Sequence, residues 1–188
     1  MKLLFVLSLA SSITLSKLCS QCSDTGSQFI DTSVVGISLL HSPDSKVLGT
    51  LRYEDGEGGE RVQYVQISNK GKDELLILSA FPKTHRVTSY CFYYLKVSEA
   101  DSQRIQQSTF ERFTSGRGVS LGISQSELMC YLGKPHKVEH IANVTSCEYR
   151  IADKSSSFLQ SHRADEYSSS YNFIDDKLVQ VLVQLYLP

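Results

Sequence analysis

The stretch that decides the predicted fold is residues 118–135, GVSLGISQSELMCYLGKP. Ser124 is followed three residues later by Glu127, the spacing at which each side chain caps the backbone N–H of the other at the start of a helix. Apolar residues follow, and Gly133 and Pro135 are typical of a helix end. The stretch therefore predicts a short, well-delimited helix. It contains no nucleophile–base pair, no metal-ligand spacing and no phosphate-binding loop, so it indicates no reaction.

An earlier part of the chain has similar features. The segment GISLLHSPDSKVLGTL begins at Gly36, as GVSLGISQSELMCYLGKP begins at Gly118. Ser42 would be the N-cap of its helix, and Pro43 would occupy the first helical position, where its missing N–H costs nothing. Three segments rich in Val, Ile, Tyr and Phe follow each copy: RVQYVQIS, DELLILSA and RVTSYCFYYLKV after the first, and SCEYRIA, SSSYNFID and KLVQVLVQLYLP after the second. Their composition and partial alternation predict strands.

The expected fold class is therefore α+β, with two tandem repeats of a helix plus a three-stranded antiparallel meander and the helices packed on one face of the sheet. Chance similarity is the alternative, because the shared residues are few. The predicted boundaries are a signal peptide at 1–20, a polar N-terminal tail at 21–33, a degenerate first repeat at 34–97, a linker at 98–117 and a second repeat at 118–188. Residues 153–170, DKSSSFLQSHRADEYSSS, are predicted to be an insertion between two strands, and its serine runs favour a mobile segment over a functional one.

The composition is that of an ordinary globular protein, with 188 residues, 41% hydrophobic, 21% charged and a net charge of −1. A nearly neutral chain is not expected to have nucleic acid as its main partner. The N-terminus, MKLLFVLSLASSITLSKLCS, has one Lys, an apolar run too short to span a bilayer, and then small residues. This order predicts a secretory signal peptide, with a buried N-terminal strand as the alternative. Leu18 precedes Cys19 where a lipoprotein needs a small residue, so we expect a periplasmic or secreted protein without a membrane span.

Five cysteines raise the question of disulfides, which exported proteins commonly form. Cys19 and Cys22 form a C-x-x-C at the signal-peptide boundary, where a thioredoxin-like role is disfavoured. Cys130 lies on the apolar side of the predicted helix and is expected to be a buried thiol. The preferred disulfide is therefore Cys91–Cys147, which would join the two repeats.

Residues 136–140, HKVEH, match the H-x-x-E-H zinc pattern. That chemistry needs His136, Glu139 and His140 on one turn of helix, together with a further ligand. The motif follows a predicted helix end, so an exposed polar loop is the favoured interpretation. The alternative is a small exported metal-dependent hydrolase. We expect no catalytic residues, no metal and no cofactor.

The entry into residues 118–135, their Leu-Gly-x-Pro end and the later FIDDKLVQVLV together form a familiar pattern over about residues 118–185. It resembles the helix-plus-sheet modules of the small-protein-A outer-membrane lipoproteins and the tandem modules of the β-lactamase inhibitor protein. The resemblance implies a non-enzymatic protein that presents a concave sheet or loop face to a protein partner. No functional residue carries over, since the chain lacks both a lipobox and an identifiable inhibitory loop.

The expected function is accordingly an exported, non-enzymatic bacterial module that binds another protein in the envelope or outside the cell. Tyr90, Phe92 and Tyr94 alternate along one predicted strand face, and they are the candidate interface. The alternative is that this face belongs to the core. In a eukaryotic secreted protein, the NVT at Asn143 would be a glycosylation acceptor.

Overall fold

The computed structural model describes residues 29–38, 52–55, 61–83, 86–98 and 105–188. The strands in these ranges are β1 (Ser33–Val34), β2 (Ile37–Ser38), β3 (Arg52–Asp55), β4 (Arg61–Ser68), β5 (Glu74–Lys83), β6 (Arg86–Lys96), β7 (Gln106–Gln107), β8 (Lys137–Ile141), β9 (Val144–Ile151), β10 (Glu166–Ile174) and β11 (Lys177–Tyr186). The helices are α1 (Gln125–Leu132) and α2 (Ser157–His162). Within this part of the chain, neither helix has the length and hydrophobicity needed to cross a membrane.

One sheet dominates the described residues. Its strands follow the antiparallel order β3-β4-β5-β6-β11-β10-β9-β8, and β7 pairs with β4 in parallel. Strands that are consecutive in the chain are neighbours within β3–β6 and within β8–β11, as short connections favour. The two sets meet where β6 pairs with β11, with Tyr94 opposite Val181. The strand β8 therefore lies at one edge of the sheet.

Alternating burial gives the sheet two different faces. Along β10, Tyr167, Tyr171 and Phe173 are buried, whereas Ser168 and Ser170 between them are partly exposed. Successive side chains of a strand point to opposite faces, so the buried set defines a core face and the others an outer face. One packed face and one more open face are common in antiparallel sheets.

The core face is covered by elements from several parts of the chain. The fully buried residues of these elements are Val34 of β1, Leu128 and Leu132 of α1, and Leu159 of α2. Phe113, Val119 and Leu121, from the segment before α1, are also fully buried. They pack in one cluster with Tyr149, Tyr171, Val181 and Val183 of the sheet. Each buried aliphatic side chain of this size contributes about 1.5–3 kcal/mol. This cluster holds both helices on the same side of the sheet.

The capping pair predicted from residues 118–135 is present. The Ser124 hydroxyl accepts the N–H of Glu127 at 3.2 Å, and the Glu127 carboxylate accepts the N–H of Ser124 at 2.7 Å. Gly133 ends the helix at a φ of 78°, a left-handed conformation that favours glycine. The predicted short helix is thus confirmed as α1.

The residues before β1 are attached to β10 by a buried tyrosine. The Tyr167 hydroxyl accepts the N–H of Asp31 at 2.9 Å. Asp31 is 2% exposed, and burial raises the pKa of its carboxyl above the ordinary value. The Arg117 guanidinium donates to the carbonyl of Ile30 at 3.0 Å on the same side. These contacts link three distant stretches of the chain.

The predicted fold of two helix-plus-three-stranded repeats is wrong. The described chain is mainly β, and its two halves contribute four strands each to one sheet, because β3 and β8 are strands in addition to the three predicted per half. The halves share one core, since β6 and β11 pair directly. The first helix, expected after Ser42, falls at residues 39–50, outside the described residues.

Two segments expected to lie outside the fold belong to it. The predicted linker at 98–117 contains β7 and the fully buried Phe113. The predicted insertion at 153–170 contains α2 and the first half of β10, so it belongs to the regular secondary structure. Serine runs favoured mobility in the second segment, but apolar residues of both segments are placed in the core, among them Phe113 and Leu159.

The segment predicted to be a linker, residues 98–117, is attached to the sheet by a buried polar cluster at the turn between β4 and β5. The Asn69 side chain accepts the N–H groups of Asp73 and Glu74, both at 3.0 Å, and donates to the carbonyl of Glu111 at 2.9 Å. The Glu74 carboxylate accepts the N–H of Phe113 at 2.8 Å. Buried polar groups are stable when they are hydrogen-bonded in this way.

Candidate binding groove on the outer face of the sheet

The HKVEH segment is a strand, neither a loop nor a turn of helix. His136 precedes β8, and Glu139 and His140 lie on it. As neighbours on a strand, Glu139 and His140 point to opposite faces, and His136 lies about 13 Å from His140 along the chain. Glu139 instead pairs with Lys137 at 2.7 Å, and His140 Nδ1 lies 3.0 Å from Thr145 Oγ1. The three side chains therefore do not converge, and no group of three or more potential ligands occurs among the described residues.

The Cys91–Cys147 disulfide is contradicted by the strand order. Cys147 on β9 pairs with Tyr171, which pairs with Val181, which pairs with Tyr94 of β6. Three strand spacings amount to about 14 Å, twice the limit for two bridged Cα atoms. The register pairs Cys91 with Gln184 of β11. Cys147 is a buried free thiol on the core face, and burial raises its pKa.

The other cysteines give a mixed outcome. Cys130 on α1 is half-buried rather than fully buried. Cys19 and Cys22, like the predicted signal peptide, lie outside the described residues.

The predicted interface on β6 is described by its strand register alone. Tyr90, Phe92 and Tyr94 pair with Leu185, Val183 and Val181, respectively. All three of these β11 residues are buried. Side chains that are paired across strands share a face, so the register favours the alternative in which this face of β6 belongs to the core.

The sequence did not reveal the groove that the sheet forms on its outer face. Ser168 and Ser170 are short side chains on β10, flanked by larger ones on β9 and β11. The result is an open depression of about 310 Å³ along β10. Its floor and walls carry the side chains of Glu148, Arg150, Glu166, Ser168, Ser170, Leu182 and Gln184. The signal was present in YSSSY at 167–171, where period-two alternation places Ser168 and Ser170 together on the face opposite Tyr167 and Tyr171.

An ion pair forms one wall of the groove. Arg150 donates from Nε and Nη2 to the two carboxylate oxygens of Glu166 at 2.9 and 2.7 Å. The neighbouring Glu166 carboxylate raises the pKa of the Arg150 guanidinium. The pair adds little to stability, because both side chains reach solvent. Its two parallel hydrogen bonds fix the orientation of the guanidinium relative to the Glu166 carboxylate.

The outer face becomes more apolar away from this wall. Beyond Ser170, the cross-strand row continues through Leu182 of β11 to Ile77 of β5. Both residues are half-buried, as is Leu95 of β6. Asn172 donates an amide hydrogen bond to Gln180 at the end of the groove. The face thus combines an ion pair, hydroxyl and amide groups with an adjoining aliphatic area.

These groups are suited to binding. Hydroxyl and amide side chains donate and accept hydrogen bonds, and the charged wall adds direction. The geometry includes no nucleophile beside a base among the described side chains of the groove.

Comparison of the chain with protein-family models, with curated proteins and with solved structures finds no match. The resemblance to the small-protein-A and β-lactamase inhibitor modules therefore stays a prediction.

Proposed function

We propose that this protein is an exported, non-enzymatic bacterial module that binds another protein through the groove on β10. The observation that carries the proposal is the groove itself, a serine-floored depression with a charged wall and an aliphatic margin on the outer face of the sheet. Mixed polar and apolar character with an ordered arginine is common in protein interfaces. The signal-peptide pattern of residues 1–20 supports a location in the periplasm or outside the cell.

The shape and lining of the groove favour a polypeptide over a small molecule. Small-molecule sites enclose most of their ligand and have mainly apolar walls. This groove is open, and serine, glutamine and charged side chains line it. An extended segment of a partner could lie along β10, with polar groups on the serine hydroxyls and apolar groups near Leu182.

Charge disfavours nucleic acid as the occupant. The groove has one cationic side chain, Arg150, and two carboxylates, Glu148 and Glu166. Phosphate backbones are bound by surfaces with an excess of Lys and Arg. A neutral or basic segment of a protein fits the groove better.

The test is site-specific crosslinking in the native host. A photoreactive amino acid at Ser170 should capture a discrete, saturable protein partner. The same group at Ser126, an exposed position on α1 away from the outer face, serves as the matched control. With the photoreactive group at position 170, Ser168→Arg should block capture by filling the groove, and Ser126→Arg should leave it unchanged. Capture from position 126 alone, or equal capture after Ser168→Arg, would contradict the proposal.

A separate experiment tests the proposed export. N-terminal sequencing of the mature protein from the native host should find a start directly after Ser12, Ser16 or Ser20, the positions that suit signal-peptide cleavage. An intact N-terminus in the cytoplasmic fraction would refute export without bearing on the groove.

A further inference from the structure

The strand β8 forms an exposed edge of the sheet. It pairs with β9 alone among the described strands. Val138 is 39% exposed and Ile141 is 69% exposed. An edge strand presents unpaired N–H and C=O groups, which another strand can bind. Exposed aliphatic side chains on such an edge add to the attraction.

The hairpin turn determines which backbone groups face outward. Ile141 pairs with Val144 across the two-residue turn Ala142–Asn143. The pair that flanks a two-residue turn is hydrogen-bonded, and hydrogen-bonded pairs then alternate along the strands. Ile141, Glu139 and Lys137 therefore bond to β9, and the N–H and C=O groups of Val138 and His140 point away from the sheet.

We propose that a second copy of this chain binds at this edge, with its β8 antiparallel to the first around a twofold axis at Val138. Val138 would exchange both backbone hydrogen bonds with its counterpart. The N–H of His140 would donate to the carbonyl of His136 in the second copy. The N–H of His136 takes no part, since it already donates to the carbonyl of Glu148 at 2.9 Å.

Side-chain charge selects this register. A twofold axis perpendicular to the sheet preserves its faces, so only residues of the same face can be opposite one another. Centring the pair on Val138 places Lys137 opposite Glu139 of the second copy, twice, as a closely spaced non-hydrogen-bonded pair. Centring it on Glu139 would place two carboxylates opposite each other. Centring it on His140 would leave Lys137 unmatched.

Lysine on an edge strand commonly prevents pairing, because its charge would be brought against a foreign strand. Here Lys137 already lies 2.7 Å from Glu139 of its own strand. In the proposed register, the two copies would form a closed square of alternating charges. The charges of Lys137 and Glu139 thus disfavour pairing with most foreign strands, but they match the charges of a second β8.

The dimer would join the two sheets into one continuous surface. Its two grooves on β10 would be separated by five strand spacings, about 24 Å. Self-association does not require the proposed groove function, but it would make binding bivalent if that function holds.

Sedimentation equilibrium of the exported chain tests the proposal. The wild type should show a monomer–dimer equilibrium at concentrations up to about 1 mM. Lys137→Glu should weaken dimerisation roughly tenfold, because it turns both cross-strand pairs into like charges. Glu139→Lys should act similarly, and the double variant K137E/E139K should recover most of the wild-type affinity. The control Lys154→Glu reverses an exposed charge away from β8 and should have no effect.

A backbone test complements the charge swap. Val138→Pro removes an outward N–H without breaking a bond to β9, so folding should persist and dimerisation should be lost. If this variant unfolds, the charge-swap series decides alone. A wild type that is monomeric throughout, or a dimer indifferent to both K137E and the double swap, overturns the proposal. A monomeric wild type would mean that any strand bound at this edge belongs to a different protein.

Discussion

Removing the Glu74 carboxylate tests how the segment before β8 is attached to the sheet. Glu74 is 1% exposed, and it accepts the N–H of the fully buried Phe113 at 2.8 Å. Lys96 and Arg112 approach the same carboxylate at 3.4 and 3.5 Å. The carboxylate therefore joins the start of β5 to a segment about forty residues further along the chain.

The expected cost of Glu74→Ala follows from these contacts. A buried N–H left without an acceptor costs about 1–3 kcal/mol. The two ion pairs add at most about 1 kcal/mol each, because the lysine and arginine side chains are 42% and 54% exposed and return to water. Relief of the buried charge offsets part of this loss. We expect the free energy of unfolding to fall by about 2–3 kcal/mol.

Urea denaturation followed by circular dichroism measures this change. Glu74→Gln keeps an oxygen for the N–H of Phe113 and loses only the charge, so it should cost about 1 kcal/mol. Glu111→Ala is the control, because its ion pair with Lys70 is exposed and should contribute less than about 0.5 kcal/mol. A loss for Glu74→Ala no larger than for Glu111→Ala would refute the reasoning. Equal losses for the Ala and Gln variants of Glu74 would show that the hydrogen bond to Phe113 is not the main term.

Three further predictions concern the helix cap, a buried acid and the cysteines. Ser124→Ala should lower the free energy of unfolding by about 1 kcal/mol, because the N–H of Glu127 loses its acceptor; Ser126→Ala should change it far less in the same denaturation assay. Burial raises the pKa of Asp31 above 3.8, so the stability contributed by its protonated form is fully present below pH 3.8 and lost as the pH rises through the folded pKa. The free energy of unfolding of Asp31→Asn should therefore increase relative to that of the wild type as the pH rises through that window. A difference in stability between the two proteins that does not change with pH would contradict this sign. Cys147 should react with a thiol reagent only on unfolding and should show no link to Cys91 in non-reducing peptide mapping; rapid labelling of the native protein would show that it is not buried.

Sequence alone determined the elements whose signals are local. The Ser124–Glu127 capping pair and the glycine that ends α1 lie within ten residues of one another, and each works through neighbouring backbone groups. The alternation in KLVQVLVQLY likewise predicts a strand, and β11 has that alternation with Val181, Val183 and Leu185 buried. A pattern of period two or a cap needs no knowledge of the remote chain.

The tertiary structure alone decided which strands are neighbours, and the candidate sites follow from that order. Pairing of β6 with β11 separates Cys91 from Cys147 by three strand spacings and places Tyr90, Phe92 and Tyr94 opposite buried residues of β11. The same pairing joins two halves that the sequence predicted to be separate repeats. The residues of one strand do not determine which strand it pairs with, because register is selected by the burial of both strands on a common core.

The groove on β10 and the exposed edge at β8 likewise follow from the strand order. The serine runs that include Ser168 and Ser170 predicted a mobile insertion. In the structure, β9 and β11 place larger side chains on either side of these two serines. From the sequence, HKVEH is interpreted as an exposed polar loop, with a helical metal motif as the alternative. Its hairpin with β9 selects the strand, because backbone hydrogen bonds to VTSCEYRI satisfy the polar groups that a loop would leave to water.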